Sequence, residues 1–116
     1  MAERRIMILE DEAIIAWDIE AELQARGFHV VGLAGFIGEA LALLDGGGIT
    51  VALLDINLGQ DNSYGVAQTC RDRGIAVIFL SGDGGDDRPE DLQDCEVVSK
   101  PVSYEKLVEA LNRLPG

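Results

Sequence analysis

The chain has 116 residues, a length typical of one domain built around one hydrophobic core. Nine basic against 21 acidic residues give a net charge of -12, which disfavours binding to nucleic acid or anionic lipid because both are negatively charged. No apolar run approaches the roughly 20 residues that cross a bilayer, the N-terminal segment lacks the apolar core of a secretory signal, and two isolated cysteines form no disulfide framework. We therefore expect a cytoplasmic protein with a single domain, residues 1–116.

Short apolar runs alternate with segments of helical periodicity along the chain. The apolar runs predict five strands, at residues 5–9, 29–34, 51–55, 75–81 and 96–100. The periodic segments predict helices at about 13–26, 37–45, 64–73 and from 103 onwards. Segment 82–95 occupies the place of a further helix but is rich in glycine and acidic residues, so we expect that helix to be short or mobile. Strands joined by right-handed helical crossovers predict an α/β fold with a doubly wound, five-stranded parallel sheet.

Polar residues end four of the five predicted strands. They are Glu10 and Asp11 after the first, Asp55 at the third, Ser81 at the fourth and Lys100 at the fifth. In a parallel sheet the carboxyl ends of the strands meet at one edge, where ligands bind. We therefore expect these side chains to form one site.

Three carboxylates at one edge of a sheet need a compensating cation. Two carboxylates about 4 Å apart repel by roughly 4 kcal/mol at an effective dielectric near 20, and Lys100 supplies only one positive charge. Oxygen ligands without histidine or thiolate favour a hard divalent ion, and Mg²⁺ suits a site that waters and phosphate oxygens complete. Charge balance therefore predicts Mg²⁺ beside Glu10, Asp11 and Asp55.

A site with Mg²⁺, a lysine and a hydroxyl can neutralise the oxygens of a phosphoryl group. A serine nucleophile would need a base, and the one histidine, His29, has no acid or serine spaced to form a triad with it. An ionised aspartate attacks without a base and forms an aspartyl-phosphate. Asp55 is the candidate because it ends the most apolar central strand, although an aspartate there is by itself more often a turn or cap residue.

The order of these residues resembles the receiver domains of bacterial two-component response regulators, over essentially the whole chain. That family has an acidic pair after strand one, a phosphoacceptor Asp after strand three, Thr or Ser after strand four and Lys-Pro after strand five. The matching residues here are Glu10-Asp11, Asp55, Ser81 and Lys100-Pro101. The resemblance implies a flavodoxin-like (β/α)5 fold and phosphoryl transfer to Asp55 from the phosphohistidine of a sensor histidine kinase.

The resemblance also implies the roles of the surrounding residues. Asp11, Asp55 and the backbone carbonyl of Asn57 would bind Mg²⁺, with Glu10 assisting through a water molecule. Ser81 and Lys100 would contact the phosphoryl oxygens, and the Lys100-Pro101 bond would be cis, which is accessible for an X-Pro bond.

A narrower resemblance concerns residues 79–84, FLSGDG. This stretch is similar to the Phe-Ala-Thr-Gly sequence of the single-domain receivers known as FAT GUY, with Leu80 and Ser81 in place of Ala and Thr. It implies a partner kinase of the HWE or a related type and an unusual fourth helix.

The chain departs from the family at strand five, where Val97 replaces the aromatic residue that rotates inward in most receivers. We hypothesise that phosphorylation instead orders segment 82–95, a disorder-to-order switch. Asn57 and Asp83, two residues after Asp55 and Ser81, flank the path of the attacking water in the family. Neither is bulky or apolar, which predicts a short-lived phosphoryl group.

Three functions remain open. The first is a stand-alone receiver that catalyses its own phosphorylation and dephosphorylation; since only Pro-Gly follows Leu114, its output would be binding to another protein or a role as phosphoryl shuttle or sink. The second is a pseudo-receiver, an interaction module that takes no phosphate. The third is a phosphatase of the haloacid dehalogenase type, whose Asp-x-Asp motif is broken here because Asn57 stands at its third position.

Overall fold

The computed structural model describes residues 4–82 and 87–115. In chain order its elements are β1 (Arg5–Leu9), α1 (Ala13–Ala25), β2 (His29–Ala34), α2 (Ile37–Asp45), β3 (Val51–Asp55), β4 (Asn57–Leu58), β5 (Asp61–Asn62), α3 (Tyr64–Asp72), β6 (Ala76–Ser81), a 3₁₀ helix (Glu90–Leu92), β7 (Glu96–Ser99) and α4 (Tyr104–Arg113). The predicted strands and helices therefore form within one or two residues of their expected limits.

The main sheet has five parallel strands in the order β2-β1-β3-β6-β7. The predicted fold class is thus confirmed. Every residue of β3 is buried, as expected for a parallel strand with helices on both faces. The chain crosses to the other side of β1 after β2, so the direction of strand addition reverses between β1 and β3. Ligand sites of doubly wound sheets lie outside the carboxyl ends at this point.

The helices form one layer on each face of the sheet. Buried residues of α1 and α4 pack with Ile6, Leu53 and Ile78 on one face. Buried residues of α2 and α3, together with Leu92 of the 3₁₀ helix, pack with Leu54 and other strand residues on the opposite face. Each helix buries one apolar stripe and leaves its polar side exposed, which is the arrangement that the helical periodicity predicts.

Residues 57–62 form a small antiparallel hairpin, β4–β5, that the sequence pattern does not predict. Its turn contains Gly59, whose φ of +69° is a conformation that glycine adopts without strain. Only Leu58 of the hairpin strands is buried, so the segment lacks the apolar alternation of a longer strand. The hairpin lies between the phosphoacceptor candidate Asp55 and the start of α3.

Residues 87–95, called the strap below, occupy the place of the expected fourth helix. Their only helical segment is the 3₁₀ helix of three residues, so this helix is short, as predicted. Leu92 is fully buried in the core and fixes the strap to the α2–α3 face of the sheet. Asp83, a residue predicted to modulate the site, lies outside the described residues.

The lengths of the helices and the state of the two cysteines are two further features of the fold. No helix within residues 4–82 and 87–115 is both long and apolar enough to cross a membrane. Cys70 and Cys95 are both free thiols, and burial raises the pKa of the Cys70 thiol to about 11. A thiol with so high a pKa is protonated and unreactive at neutral pH.

We expect Leu53→Ala to lower the free energy of unfolding by about 2–5 kcal/mol, because the side chain is fully buried and its removal leaves a cavity in the central strand. Urea denaturation followed by circular dichroism measures this loss. Ile14→Ala is the control, since Ile14 is 78% exposed and its truncation should change stability by less than about 0.5 kcal/mol. Equal losses in both variants would contradict the assignment of Leu53 to the core.

Candidate phosphoacceptor and metal site

The predicted site residues converge at the carboxyl edge of the sheet. Carboxylate oxygens of Glu10, Asp11 and Asp55 all lie within 4.8 Å of one another. Glu10 and Asp55 are buried, with 2% and 5% of their surface exposed, whereas Asp11 is exposed. The topology therefore places an acidic cluster where the sequence predicted one, with one carboxylate facing solvent.

Lys100 joins the two buried carboxylates. Its Nζ donates to Oε1 of Glu10 at 2.6 Å and to Oδ2 of Asp55 at 2.9 Å. Burial alone would lower the pKa of Lys100, but the hydrogen bonds and charges of the two carboxylates outweigh it and the pKa is raised. Lys100 is thus a stable cation in the site, held there by charge-assisted hydrogen bonds.

Glu10 is bonded through both of its oxygens. Oε1 accepts from Lys100, and Oε2 accepts from the backbone N–H of Glu12 at 3.1 Å. Asp11 has a raised pKa, first because of its side-chain hydrogen bond with Glu10 and then because of partial burial and the charge of Glu10. Because its side chain is exposed, Asp11 is the carboxylate of the cluster most open to a ligand, whereas Glu10 holds Lys100 in place.

Backbone hydrogen bonds between strand ends fix the relative positions of these groups. The N–H of Ile56, next to Asp55, donates to the carbonyl of Leu80 at 3.0 Å. The N–H of Lys100 donates to the carbonyl of Ser81 at 2.7 Å, and the Lys100-Pro101 bond that follows is cis, as the resemblance implied. Asp55, Ser81 and Lys100 are therefore tied to one another by the main chain.

The donor set fits a hard divalent cation. Carboxylate oxygens of Glu10, Asp11 and Asp55 are close enough to share one ion, and this cluster contains no histidine or thiolate. Two of these carboxylates already share the charge of Lys100, so an added ion would mainly offset Asp11 and the remaining negative charge. Asn57 is exposed on β4, two residues beyond Asp55, and the role of its carbonyl as a ligand stays a prediction.

Three further residues singled out by the sequence lie at the end of β6, within β7 and after β7. Ser81 is buried at the end of β6, in register with Ser99 of β7. Val97 is 39% exposed on β7 and lies in register with Phe79, so a small side chain occupies the place of the family's aromatic residue. Pro101 is exposed beside Lys100.

An apolar groove adjoins the site. It has a volume of about 610 Å³ and is lined by α1 and by the segment after β7, including Ile14, Trp17, Lys100, Pro101 and Tyr104. Trp17 and Ile14 are 59% and 78% exposed. The sequence pattern did not indicate this groove, because its two sides lie about 80 residues apart in the chain. The one available signal was that Ile14 and Trp17 lie outside the buried apolar stripe of α1.

Comparisons with known proteins agree with this fold. SdrG from Sphingomonas melonis Fr1 is 33% identical, with a TM-score of 0.83 and 97% of each chain covered, and the BeF3-activated form of SdrG has a TM-score of 0.81. The response regulator TrrA from Thermotoga maritima, solved with Mg²⁺-BeF, shares the fold with a TM-score of 0.84 at 24% identity, over 97% of this chain and 99% of TrrA. No protein-family profile matches the chain.

A curated relative is the transcriptional regulatory protein PdtaR of Mycobacterium tuberculosis, 28% identical over 112 residues and 93% of this chain. The chain spans about half the length of PdtaR, since the match covers 55% of that protein. The parallel sheet, the acidic cluster with its lysine and these relatives together define a receiver domain. The chain belongs to the receiver domains of response regulators.

We expect Mg²⁺ to raise the melting temperature of the protein, because an ion that binds only the folded state stabilises it by mass action. Asp11→Asn should abolish this shift, since it removes the exposed carboxylate of the cluster. Without metal the variant should be at least as stable as the wild type, because Asn does not repel Glu10. Thermal unfolding with and without Mg²⁺ measures both effects.

Glu12→Gln is the matched control, since Glu12 is also exposed but lies outside the cluster. Its Mg²⁺ shift should equal that of the wild type. The wild-type shift should also shrink as the pH falls, because the pKa of Asp11 is raised and protons therefore compete with the metal at a higher pH than for an ordinary aspartate. An undiminished shift in Asp11→Asn would contradict the role of Asp11.

Proposed function

We propose that this chain is a stand-alone receiver, residues 1–116, that takes a phosphoryl group on Asp55 from a sensor histidine kinase in a Mg²⁺-dependent reaction. Its output would be binding to a downstream protein or onward transfer of the phosphoryl group in a cytoplasmic phosphorelay. The observation that supports this most is the setting of Asp55, a buried carboxylate hydrogen-bonded to Lys100 and close to Asp11 in a receiver fold.

Asp55 would act as the nucleophile. One of its oxygens attacks the phosphorus of the phosphohistidine, so that an O–P bond forms as the N–P bond breaks. The bonding pair returns to the imidazole nitrogen, which takes up a proton from solvent. Bound Mg²⁺, held by Asp11, Asp55 and the Asn57 carbonyl with Glu10 assisting through water, would supply positive charge next to the transferred oxygens.

Lys100 and Ser81 would stabilise the phosphoryl group. Lys100 already donates to both Glu10 and Asp55, so it can keep its bond to Glu10 and exchange Asp55 for a phosphoryl oxygen. Glu10 thereby keeps the ammonium in place while its other partner is modified. The Ser81 hydroxyl, at the end of the strand next to Asp55, would donate to a second phosphoryl oxygen.

Hydrolysis would remove the phosphoryl group from Asp55. Water attacks phosphorus, inorganic phosphate leaves and the Asp55 carboxylate is restored. Asn57 is exposed two residues after Asp55, and we propose that it and Asp83 let water approach and keep the phosphoryl state short-lived.

The partner kinase would be of the HWE or a related type, as the FAT GUY receivers imply. This proposal rests on residues 79–82, FLSG, in β6 and the residue after it. Within residues 87–95 the fourth helix is a 3₁₀ helix of three residues, which is consistent with this proposal.

Neither alternative is favoured by a specific observation. A pseudo-receiver that takes no phosphate would have no need for the close contacts of Asp55, Lys100 and Glu10. A phosphatase of the haloacid dehalogenase type needs an acid at the position of Asn57, whose amide cannot donate a proton to a leaving group.

We expect the protein to gain one phosphoryl group on incubation with Mg²⁺ and acetyl phosphate, and Asp55→Asn to gain none. Intact-protein mass spectrometry measures the adduct, and hydroxylamine should remove it because an aspartyl-phosphate is an acyl phosphate. Asp61→Asn is the control, since Asp61 is exposed on the neighbouring hairpin and outside the cluster.

The outcomes separate the three functions. No adduct on the wild type would support the pseudo-receiver, and rapid turnover of unrelated phosphate esters would support the phosphatase. An adduct that persists in Asp55→Asn would show that another residue is the acceptor.

We also propose that the groove beside Lys100 receives the helical, histidine-bearing domain of the kinase. The groove is continuous with the site, because Lys100 and Pro101 contribute to both. Its exposed apolar residues, Ile14 and Trp17, are typical anchors of a protein interface. Asp18 of α1 is an acidic residue that lines the groove, which favours a partner with a basic rim.

With a phosphorylated histidine kinase that modifies the wild type as donor, Trp17→Ala should slow phosphotransfer by about tenfold or more. An aromatic anchor often contributes over about 1.4 kcal/mol to docking, which corresponds to that factor. The rate with acetyl phosphate should stay unchanged, because this small donor needs no docking surface. Phe36→Ala is the control, as Phe36 is 61% exposed but lies outside the groove. Equal slowing with both donors would contradict the docking role.

A further inference from the structure

Helix α3 and the strap are joined by polar side-chain contacts with a constant sequence separation. Each of three residues on α3 contacts the strap residue 23 positions later in the chain. Along α3, and likewise along the strap, the contacting residues are spaced by four and then by three positions. The pairs are Tyr64–Asp87, Gln68–Asp91 and Arg71–Asp94. The strap therefore follows one exposed face of α3 from its first residue to its last turn.

These contacts differ in strength along the strap. Arg71 donates two hydrogen bonds to Asp94, both at 3.0 Å, and a third to the sulfur of Cys95. At the other end the neutral hydroxyl of Tyr64 donates to Asp87 at 2.5 Å. An ion pair with two parallel hydrogen bonds is stronger than a bond from a neutral donor. The strap is thus held most firmly near Asp94 and would detach first at Asp87.

Residues between Asp94 and Asp87 reinforce this difference. The guanidinium of Arg88 donates to the carbonyls of Leu92 and Cys95, at 3.2 and 2.9 Å. The Leu92 side chain is fully buried. These bonds and the core hold residues 92–95, whereas the start of the strap is held against α3 through the Tyr64–Asp87 bond.

Tyr64 is linked to the ends of β6 and β3, two of the strands that end in the site. Its ring packs edge to face on Phe79 of β6, with centroids 6.0 Å apart, and Phe79 lies two residues before Ser81. Its main chain follows Ser63, whose N–H donates at 3.1 Å to the carbonyl of Ile56, next to Asp55. A movement of β6 thus reaches Tyr64 through a direct contact, and a movement at the end of β3 reaches it through Ser63.

Ser63 provides a second, independent observation. Its side chain is fully buried, and its hydroxyl has no hydrogen-bond partner among the residues that the structure describes. Buried polar groups without partners are rare in native proteins and unfavourable. A rearrangement of the turn before Tyr64 that gave this hydroxyl a partner would offset part of its own cost.

We propose that Tyr64 couples the phosphorylation state of Asp55 to the strap. The proposal rests on the proposed function. Attraction of the Ser81 hydroxyl to the phosphoryl group moves the end of β6, the Phe79–Tyr64 contact shifts, and the Tyr64–Asp87 bond breaks. The strap then detaches at Asp87 while Arg71 keeps Asp94 in place. The switch is a release, not the ordering of segment 82–95 that we hypothesised from the sequence, because the burial of Leu92 shows that residues 87–95 are already packed in the unmodified chain.

The test is amide hydrogen exchange of residues 87–95, with and without Mg²⁺ and beryllofluoride, in the wild type and in Tyr64→Phe. Beryllofluoride should speed exchange in the wild type. Tyr64→Phe removes only the hydroxyl, so its exchange should be fast without beryllofluoride and the difference between the two conditions should be lost. Tyr104→Phe is the matched control, because Tyr104 donates to Asp18 at the same 2.5 Å on the other face of the sheet.

Mass spectrometry with acetyl phosphate on the same samples separates the two proposals. An adduct on the wild type and on Tyr64→Phe shows that both have an intact site. If the wild type forms the adduct but its strap exchange does not respond, or if Tyr64→Phe responds like the wild type, the coupling is wrong and the proposed function stands. If the wild type forms no adduct, the proposed function is wrong and the coupling fails with it.

Discussion

The ammonium group of Lys100 lies between two buried carboxylates, and the rest of the site depends on this contact. Burying Glu10 and Asp55 together without a cation would be strongly unfavourable, because each ion loses its hydration and the two repel. Lys100 offsets both effects, but its single charge leaves the two carboxylates net negative, and Asp11 adds a further negative charge. The site is therefore stable as it stands and still attracts a cation at its exposed side.

The parallel sheet makes this contact possible between residues far apart in the chain. Glu10, Asp55 and Lys100 come from three strands, and main-chain hydrogen bonds fix the ends of those strands relative to one another. A core of apolar residues on both faces of the sheet keeps the strands in register. Rigid strands therefore set the geometry of the site, while the segments that follow them, the β4–β5 hairpin and the strap, are free to differ between receivers.

The sequence was sufficient to predict the sheet and the central residues of the site, for physical reasons. A strand buried on both faces, such as β3, is a continuous apolar run, and a polar residue that ends it must lie at the sheet edge. The hairpin and the strap could not be predicted in this way. Their conformation depends on one buried residue each, Leu58 and Leu92, and on contacts to distant elements that leave no periodic pattern.

The absence of an aromatic residue on β7 changes the route by which a signal can leave the site. Val97 is small and partly exposed, so β7 has no large side chain that could rotate between a buried and an exposed position. The aromatic pair of this region is instead formed by Tyr64 on α3 and Phe79 on β6, the strand next to β7. Because Tyr64 also binds the strap, a signal from Asp55 can reach the surface on the α3 side of β6 without involving β7.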